Sequence, residues 1–425
     1  MVAVGVGGAV YSCLMHVVIF EGSKWHTFAP LSLSRPVFAL ASGACTLLEK
    51  HVRHLRPTRL TLWVRPALAD YCRRELGPRL KVPLAVNEPL DDETALVVSG
   101  RTLHFSRFEH TDEQFAVVDD QQLMRKAVVR APGLTYDDAM NRTARWLKLF
   151  DLPRADEEVR MADYVWDLIN WNEESLVEDF VAMHERPSTP PPAGAYHLVN
   201  DQNVWIGPDV KLEPGVVLDG SRGPVMLDTG CAVGANAVLK GPCFVGAHAQ
   251  VKPLAVIHAG TTIGPGCKVG GEISNSILTG YTNKAHEGYV GDSYLGEWVN
   301  LGAGTTTSNL KNTYGRIKVH IGDREVDTGR RNLGSLIGDH SKTAIGTRLM
   351  TGSYLGYCSM IATGGLPPTF VPSFSFVTDE GNQAYRVDKA LEVMQTVYGR
   401  RNKLWQPADA AIARYAQEAA REAEG

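Results

Sequence analysis

No Cys-x-x-Cys pair occurs in this sequence. Its seven cysteines, an odd number, stand at 13, 45, 72, 231, 243, 267 and 358, a spacing that suits neither a disulfide framework nor a zinc knuckle and points to a reducing cytoplasm. An excess of positive charge is also missing. Lys and Arg number 43 against 47 Asp and Glu, a net charge of −4, so no overall field recruits nucleic acid or anionic lipid. A charged leader is lacking too: the opening MVAVGVGGAVYSCLMHVVIF has no Lys or Arg, and the first basic residue is Lys24. That leaves a signal peptide without its basic region and a membrane helix without its flanks. Residues 1–14 are expected to be a flexible extension, followed by a buried first strand at 16–20, and no membrane partner is expected.

What is present divides in two. At 425 residues the chain exceeds one ordinary core and predicts two domains, or a domain plus an elongated module. Over 15–185, LTLWV (60–64) and ALVVSG (95–100) read as buried strands and PALADYCRREL (66–76) as an amphipathic helix, which predicts an α/β domain with a mostly parallel sheet. TYDDAMNRTARWLKLF and ADYVWDLINWNEESLVEDF read as helices closing that domain. The Pro-rich stretch 186–196 cannot continue a helix and marks a linker.

Beyond it the period changes to six. Leu227, Val233, Leu239, Val245, Val251, Ile257, Ile263 and Val269 follow one another at that step, with Ile206, Leu212 and Leu218 before a three-residue insertion at 221–223. Leu295 and Leu301, then Ile337, Thr343, Leu349, Leu355 and Ile361, continue it. This is the pattern of a parallel β-helix built of hexapeptides, one inward aliphatic residue per face, and it predicts a solenoid over 197–375. Gly follows the aliphatic residue at 207, 234, 246, 264, 270, 296, 302, 338 and 356, which suits corners needing unusual dihedrals. Residues 308–335 break the period and predict a projecting loop or arm, and 376–425 predict closing helices. A solenoid gains from lateral association, so a homo-oligomer is expected.

The stretch KAHEGYVGDSYLGEWVNLGAGTTTSN (284–309) resembles the acetyltransferase site of the bifunctional N-acetylglucosamine-1-phosphate uridylyltransferase/glucosamine-1-phosphate acetyltransferase (GlmU) family. SRPVFAL, GEISNS, NLKNTYG, GDHSKT and PPTFVPSF extend the likeness to GlmU-related proteins similar to sugar nucleotidyltransferases. The resemblance implies a nucleotidyltransferase-like, Rossmann-like N-terminal domain, a left-handed β-helix, a homotrimer, acetyl-CoA as acyl donor and a small-molecule sugar as acceptor. His286 is then the general base, since a neutral imidazole suits proton removal near neutrality. The Ala303 N–H would stabilise the oxyanion, and Glu272, Tyr289, Asn300 and Asn309 would contact the acceptor.

There are departures. Ser274 stands where the family has a basic residue, and an arginine expected upstream falls within apolar AVIHAG (255–260). Both normally hold a sugar phosphate. Lys284, Lys311 and Arg316 are possible substitutes, and another amino sugar or a sugar nucleotide is as compatible as glucosamine 1-phosphate. In FEGSKWHTFAPLSLSRPVFAL (20–40) one glycine remains of the dense phosphate-cradling glycines, leaving Lys24 and Arg35 as phosphate-binding candidates. Arg101 stands where pyrophosphorylases carry a Mg²⁺-binding Asp and is counted with the nucleotide-binding candidates. Mg²⁺ and an NTP would have to be held otherwise, for instance by Asp119, Asp120 or Asp167, or the domain binds a sugar nucleotide without making one; no metal site is assigned.

The leading reading is an acyl-CoA-dependent acyltransferase acting on an amino sugar phosphate or nucleotide sugar, in sugar-nucleotide or cell-envelope polysaccharide biosynthesis. Two others stand beside it: a sugar-1-phosphate nucleotidyltransferase whose β-helix assembles the trimer, and a non-catalytic sugar-nucleotide-binding protein. A β-helix carbonic anhydrase needs three converging histidines; His248, His258, His286 and His340 lack the H-x4-H pair of that family.

Overall fold

The computed structural model describes residues 15–91, 93–103, 111, 113–119, 123–155, 159–183, 188–189 and 194–425. The expected extension 1–14, Asp120 and most of the linker 186–196 lie outside the described residues. The chain forms two compact units, one of residues up to Gly22 with His51–Met161, the other of Ser23–Lys50 with Ala162–Gly425.

The first unit is α/β. Its six-stranded sheet has the order Leu84–Val86, Arg59–Trp63, His16–Phe20, Ala95–Ser99, Met124–Val129, Phe115–Val118. The first four strands run parallel, and Met124–Val129 is antiparallel to both its neighbours. HVVIF and ALVVS are buried at every position, as unbroken apolar runs must be in a parallel sheet covered on both faces. Val18, Phe20, Trp63, Val97, Ala127 and Trp146 share one core.

The second unit is the left-handed parallel β-helix. Three parallel ladders form its faces. The first face runs from His197–Val199 through Val217–Asp219, Val238–Lys240, Val256–Ile257 and Glu272–Ser274 to Tyr289–Gly291. The second runs nine strands from Val204–Ile206 to Phe370–Val371, and the third begins at Lys211–Leu212 and reaches Asn283–Lys284. The aliphatic residues of the six-residue repeat are the solenoid core, Leu227, Val233, Leu239, Val245 and Ile257 among them. Cys231, Cys243 and Cys267 fill the same core, and burial pushes their thiols up to about 12, so they act as small apolar residues.

Glycine works differently from the expectation. None of the nine glycines that follow an aliphatic residue has positive φ. They are needed for close stacking: a Cβ at Gly234 would lie 2.5 Å from the Pro253 nitrogen and one at Gly302 would lie 2.5 Å from the Ala344 carbonyl. The left-handed turn conformation falls instead on Asp209, Asn236, His248, Leu254, Tyr281, Trp298, His340, Cys358 and Phe374.

Two further expectations are corrected. The stretch 308–335 does not project freely; it forms a hairpin, Lys318–Ile321 against Arg324–Asp327, in which Val319 and Ile321, with Ile317 just before it, are buried. Gly352 admits it, since a Cβ there would stand 2.7 Å from Ile317. Second, Ser23–Lys50 and the helices Val165–Asn170 and Asn172–Met183 belong to the solenoid unit rather than to the N-terminal domain in which they were expected. The reason is a satisfied polar seam: Ala41 N–H donates to Tyr294 Oη at 2.8 Å, Thr262 Oγ1 donates to the Gly43 carbonyl at 2.8 Å, and Gly43 N–H donates to Asn172 Oδ1 at 2.6 Å. Buried Lys50 and Asp179 pair at 2.5 Å beside it.

After the last coils, Gly381–Ala384 adds an antiparallel strand to Ser375–Thr378. Helices Val387–Arg400 and Pro407–Glu424 follow. They are anchored to the coils by Tyr398 stacked on Trp298, ring centroids 4.4 Å apart, and by Glu424, which accepts from Tyr354 Oη at 2.8 Å. Among the described residues no helix is long and apolar enough to cross a membrane.

Candidate functional site

Sequence spacing places His286 and Ala303 at one solenoid corner. His286 follows Asn283–Lys284 on the third face and precedes Tyr289–Gly291 on the first. Ala303 lies in the equivalent turn of the next coil, where its carbonyl accepts from Gly346 N–H at 2.7 Å. Its own N–H donates to no group among the described residues, as an oxyanion donor requires. Gly288 makes the stacking possible: its φ is +115°, and a Cβ there would lie 2.2 Å from the Thr305 carbonyl oxygen.

His286 is exposed, but the chain around it is held. Lys284 occupies an inward position, paired in register with Val269, and is buried. Its ammonium donates to the His286 carbonyl oxygen at 2.6 Å, and burial pushes its pKa down to about 8. This removes Lys284 from the proposed substitutes for a phosphate contact. Arg316 is exposed and Lys311 half-buried on the hairpin excursion, where the Lys311 amine donates to the Arg316 carbonyl at 3.0 Å.

Tyr289 and Glu272 are cross-strand neighbours on the first face. Asn309 Nδ2 donates to Tyr289 Oη at 3.2 Å and to Asp292 Oδ2 at 2.6 Å, and Asn275 Nδ2 donates to Asp292 Oδ1 at 2.6 Å. Ser274 also hydrogen-bonds the Tyr289 hydroxyl, while burial and the Asp292 carboxylate hold the phenol above its ordinary range. Asp292 and Asn275, absent from the sequence reading, are thus the centre of this cluster; both have positive φ, and their recurrence at one corner, in N-S and G-D-S, was the available signal. Arg330 faces Asp292 from the excursion. Glu272 accepts or shares a hydrogen bond with His258 Nε2 at 3.0 Å. Asn300 does not join them: it accepts from Asn283 Nδ2 at 2.7 Å and bridges Asn283 to Lys342 on the third face.

The nucleotide-binding candidates have structural partners. Arg35, 6% exposed, donates to Asp339 Oδ2 at 2.6 Å and pairs with Glu297 at 3.0 Å. Ser34 Oγ reaches the same Asp339 oxygen at 2.5 Å. This buried network removes Arg35 from the phosphate binders. Lys24 lies 3.8 Å from Asp163 at a half-buried position. In the first unit, Arg101 is buried just past the strand Ala95–Ser99.

The candidates among the described residues do not fit Mg²⁺. Arg101 offers a guanidinium where an oxygen ligand is needed. Asp167 is a helix cap accepting from the N–H groups of Asp163 and Tyr164 at 2.9 and 3.0 Å, and Asp119 accepts from Leu123 N–H at 2.8 Å. Among the described residues, His16, Asp91 and Glu93 bring three possible ligand atoms together, but Arg59 pairs with Asp91 and already supplies the positive charge.

A family model described as sugar nucleotidyl transferase matches residues 17–187. The bifunctional protein GlmU of Synechococcus elongatus is 29% identical over 189 residues, 40% of this chain and 37% of that protein. A bifunctional sugar-1-phosphate nucleotidylyltransferase/acetyltransferase of Sulfurisphaera tokodaii is 29% identical over 171 residues, 40% of this chain and 41% of its own length. Over these stretches the chain is similar to sugar nucleotidyl transferases and to GlmU proteins. The matched stretches thus span about two fifths of these curated relatives. A solved UDP-N-acetylglucosamine acyltransferase aligns at 15% identity and a TM-score of 0.20, over 52% of this chain and 83% of that one, a likeness too slight to bear on function. The sugar nucleotidyl transferase match covers residues of both units, because Ser23–Lys50 and the helices after Ala162 pack with the solenoid.

Proposed function

We propose that the solenoid transfers an acyl group, acetyl in the simplest case, from acyl-CoA to the amine of a sugar phosphate or nucleotide-linked sugar. The observation that carries this is the shared corner of His286 and Ala303 beside the Tyr289–Asn309–Asp292 cluster. The amine nitrogen attacks the thioester carbonyl and its proton passes to His286 Nδ1 or Nε2. The carbonyl oxygen takes up the electron pair and is met by the Ala303 N–H. Collapse then breaks the C–S bond, and the proton on His286 leaves with the CoA thiolate.

The same corner line carries Leu254 at 73% and Ile345 at 78% exposure, an apolar edge suited to a pantetheine arm or a neighbouring copy. A homotrimer fits this edge and would let Asn300 reach the acceptor from another subunit. A cytoplasmic location is in keeping with the buried thiols of Cys72, Cys231, Cys243, Cys267 and Cys358. The second reading, a sugar-1-phosphate nucleotidyltransferase, is favoured by the match over 17–187 and opposed by Arg101 and Arg35. The test is thiol release from acetyl-CoA by the full chain over amino sugars, their 1-phosphates and their UDP- and dTDP-linked forms. N-acylated product from one acceptor class supports the proposal; no release with any acceptor, alongside pyrophosphate from an NTP and a sugar 1-phosphate, transfers the activity to the N-terminal region.

A further inference from the structure

Removing the family's two phosphate-holding cations leaves a question of charge, and the first face supplies an answer one to three coils away. Its register sets Asp219 beside Lys240 and Ser274 beside Gly291, and the strands between continue the line through His258. The outward positions are therefore Asp219, Lys240, His258, Ser274 and Gly291. Ser274 is small, while the Tyr289 hydroxyl covers Gly291, so the hollow lies between Asp219 and Ser274. A cavity of about 270 Å³ opens there, lined by Asp219, Arg222, Lys240, His258 and Ser274 among others.

Arg222 reaches this face through the three-residue insertion that interrupts the repeat. Ser221 N–H donates to Asp219 Oδ1 at 3.0 Å, and Gly223 lies so close to Pro242 that a Cβ would stand 2.7 Å from its ring. The insertion is thus pressed onto the next coil with Arg222 at the cavity. His258 is fixed from the other side by Glu272. Ser274 links the cavity to the acceptor cluster, since it also bonds the Tyr289 hydroxyl.

We propose that Arg222, Lys240 and His258 form an anion subsite for the phosphate of the acceptor, a sugar monophosphate or the diphosphate of a nucleotide sugar. The subsite deepens the acyltransferase reading and rests on it for the identity of the acceptor. Among the lining residues two cations, Arg222 and Lys240, face one carboxylate, Asp219, while Glu272 pairs with His258 at the edge. Successive coils are about 4.8 Å apart, so the three groups can bracket either one phosphate or two in line along the face, with the sugar directed toward Tyr289 and the His286 corner. Arg and Lys supply the charge-assisted hydrogen bonds this contact requires.

The test uses calorimetric titration of the full chain with glucosamine, glucosamine 1-phosphate and UDP-N-acetylglucosamine, comparing wild type with the double variant Arg222→Glu, Lys240→Glu. Both side chains are exposed, so matched melting curves are expected. Wild type is expected to bind a phosphorylated probe and the variant to bind it at least about tenfold more weakly, as loss of charged hydrogen bonds predicts. The probe that responds separates monophosphate from diphosphate. Equal affinity in variant and wild type, or no binding of any phosphorylated probe by wild type, overturns the subsite. Acyl transfer with unchanged KM in the variant rejects the subsite and keeps the acyltransferase. Charge-dependent binding without any acyl transfer keeps the subsite and rejects the acyltransferase.

Discussion

Arg35 and His286 belong to two regions, the first resembling the GlmU pattern weakly and the second strongly, that use their polar side chains in opposite ways. Around Arg35 the candidate groups are buried and joined to one another: the guanidinium meets Asp339 and Glu297, and Ser34 completes the network. Around His286 the imidazole is exposed at a corner and Tyr289, Ala303 and Asn309 are half-buried, while the restraint comes from below, through Lys284 and the closely stacked glycines. A region whose charges satisfy one another is suited to stability; a region whose charges are held by backbone and left facing outward is suited to chemistry. Perturbed or paired groups mark either role, so geometry decides between them.

After His286 itself, the largest effect expected on this contrast is at Lys284. Lys284→Met keeps a long apolar stem in an aliphatic column but removes the bond to the His286 carbonyl, so kcat for acyl transfer should fall by roughly 10- to 100-fold from misplacement of the base, with little change in melting temperature. Equal loss of rate and stability would assign Lys284 to packing alone. Next, Asp339→Ala leaves Arg35, Ser34 and the Glu297 N–H without a buried acceptor and should cost about 3–5 kcal/mol in denaturant unfolding, with the rate per folded molecule retained.

A smaller effect separates the two regions by pH. The Lys284 amine titrates near about 8 when folded against 10.5 for the ordinary group, so between those values the unfolded chain holds more protons. Its contribution to stability therefore rises with pH across that window and is flat below it. Unfolding measured below, within and above the window should show this slope in wild type and lose it in Lys284→Met. The smallest effect is expected at Arg101: Arg101→Ala should leave kcat and KM of acyl transfer unchanged, and a marked change would tie the first unit to the solenoid chemistry.

Much of this was legible in the residues. The period-six column from Leu227 to Val269 gave the solenoid, because inward positions must be aliphatic. It faded after Val269, where the inward residues are Ile273, Leu278, Lys284 and Val290: the steps shorten and one is a lysine, so the coil that bears His286 was the hardest to see. His286, Ala303, Tyr289 and Asn309 were readable through motif. Asp292 was not read that way: its one signal is its recurrence with Asn275 at a corner, and its role appears only when three coils stack. The placement of Ser23–Lys50 was equally hidden, because it depends on pairings such as Gly43 with Thr262 that are far apart in sequence.

Acyl transfer by His286→Ala, measured as thiol release from acetyl-CoA with the best acceptor, tests the proposal at its base. The variant should fold as wild type does and lose about 10²- to 10⁴-fold in kcat, the range of a general base. A variant that turns over at the wild-type rate contradicts the assignment of the corner as the catalytic site.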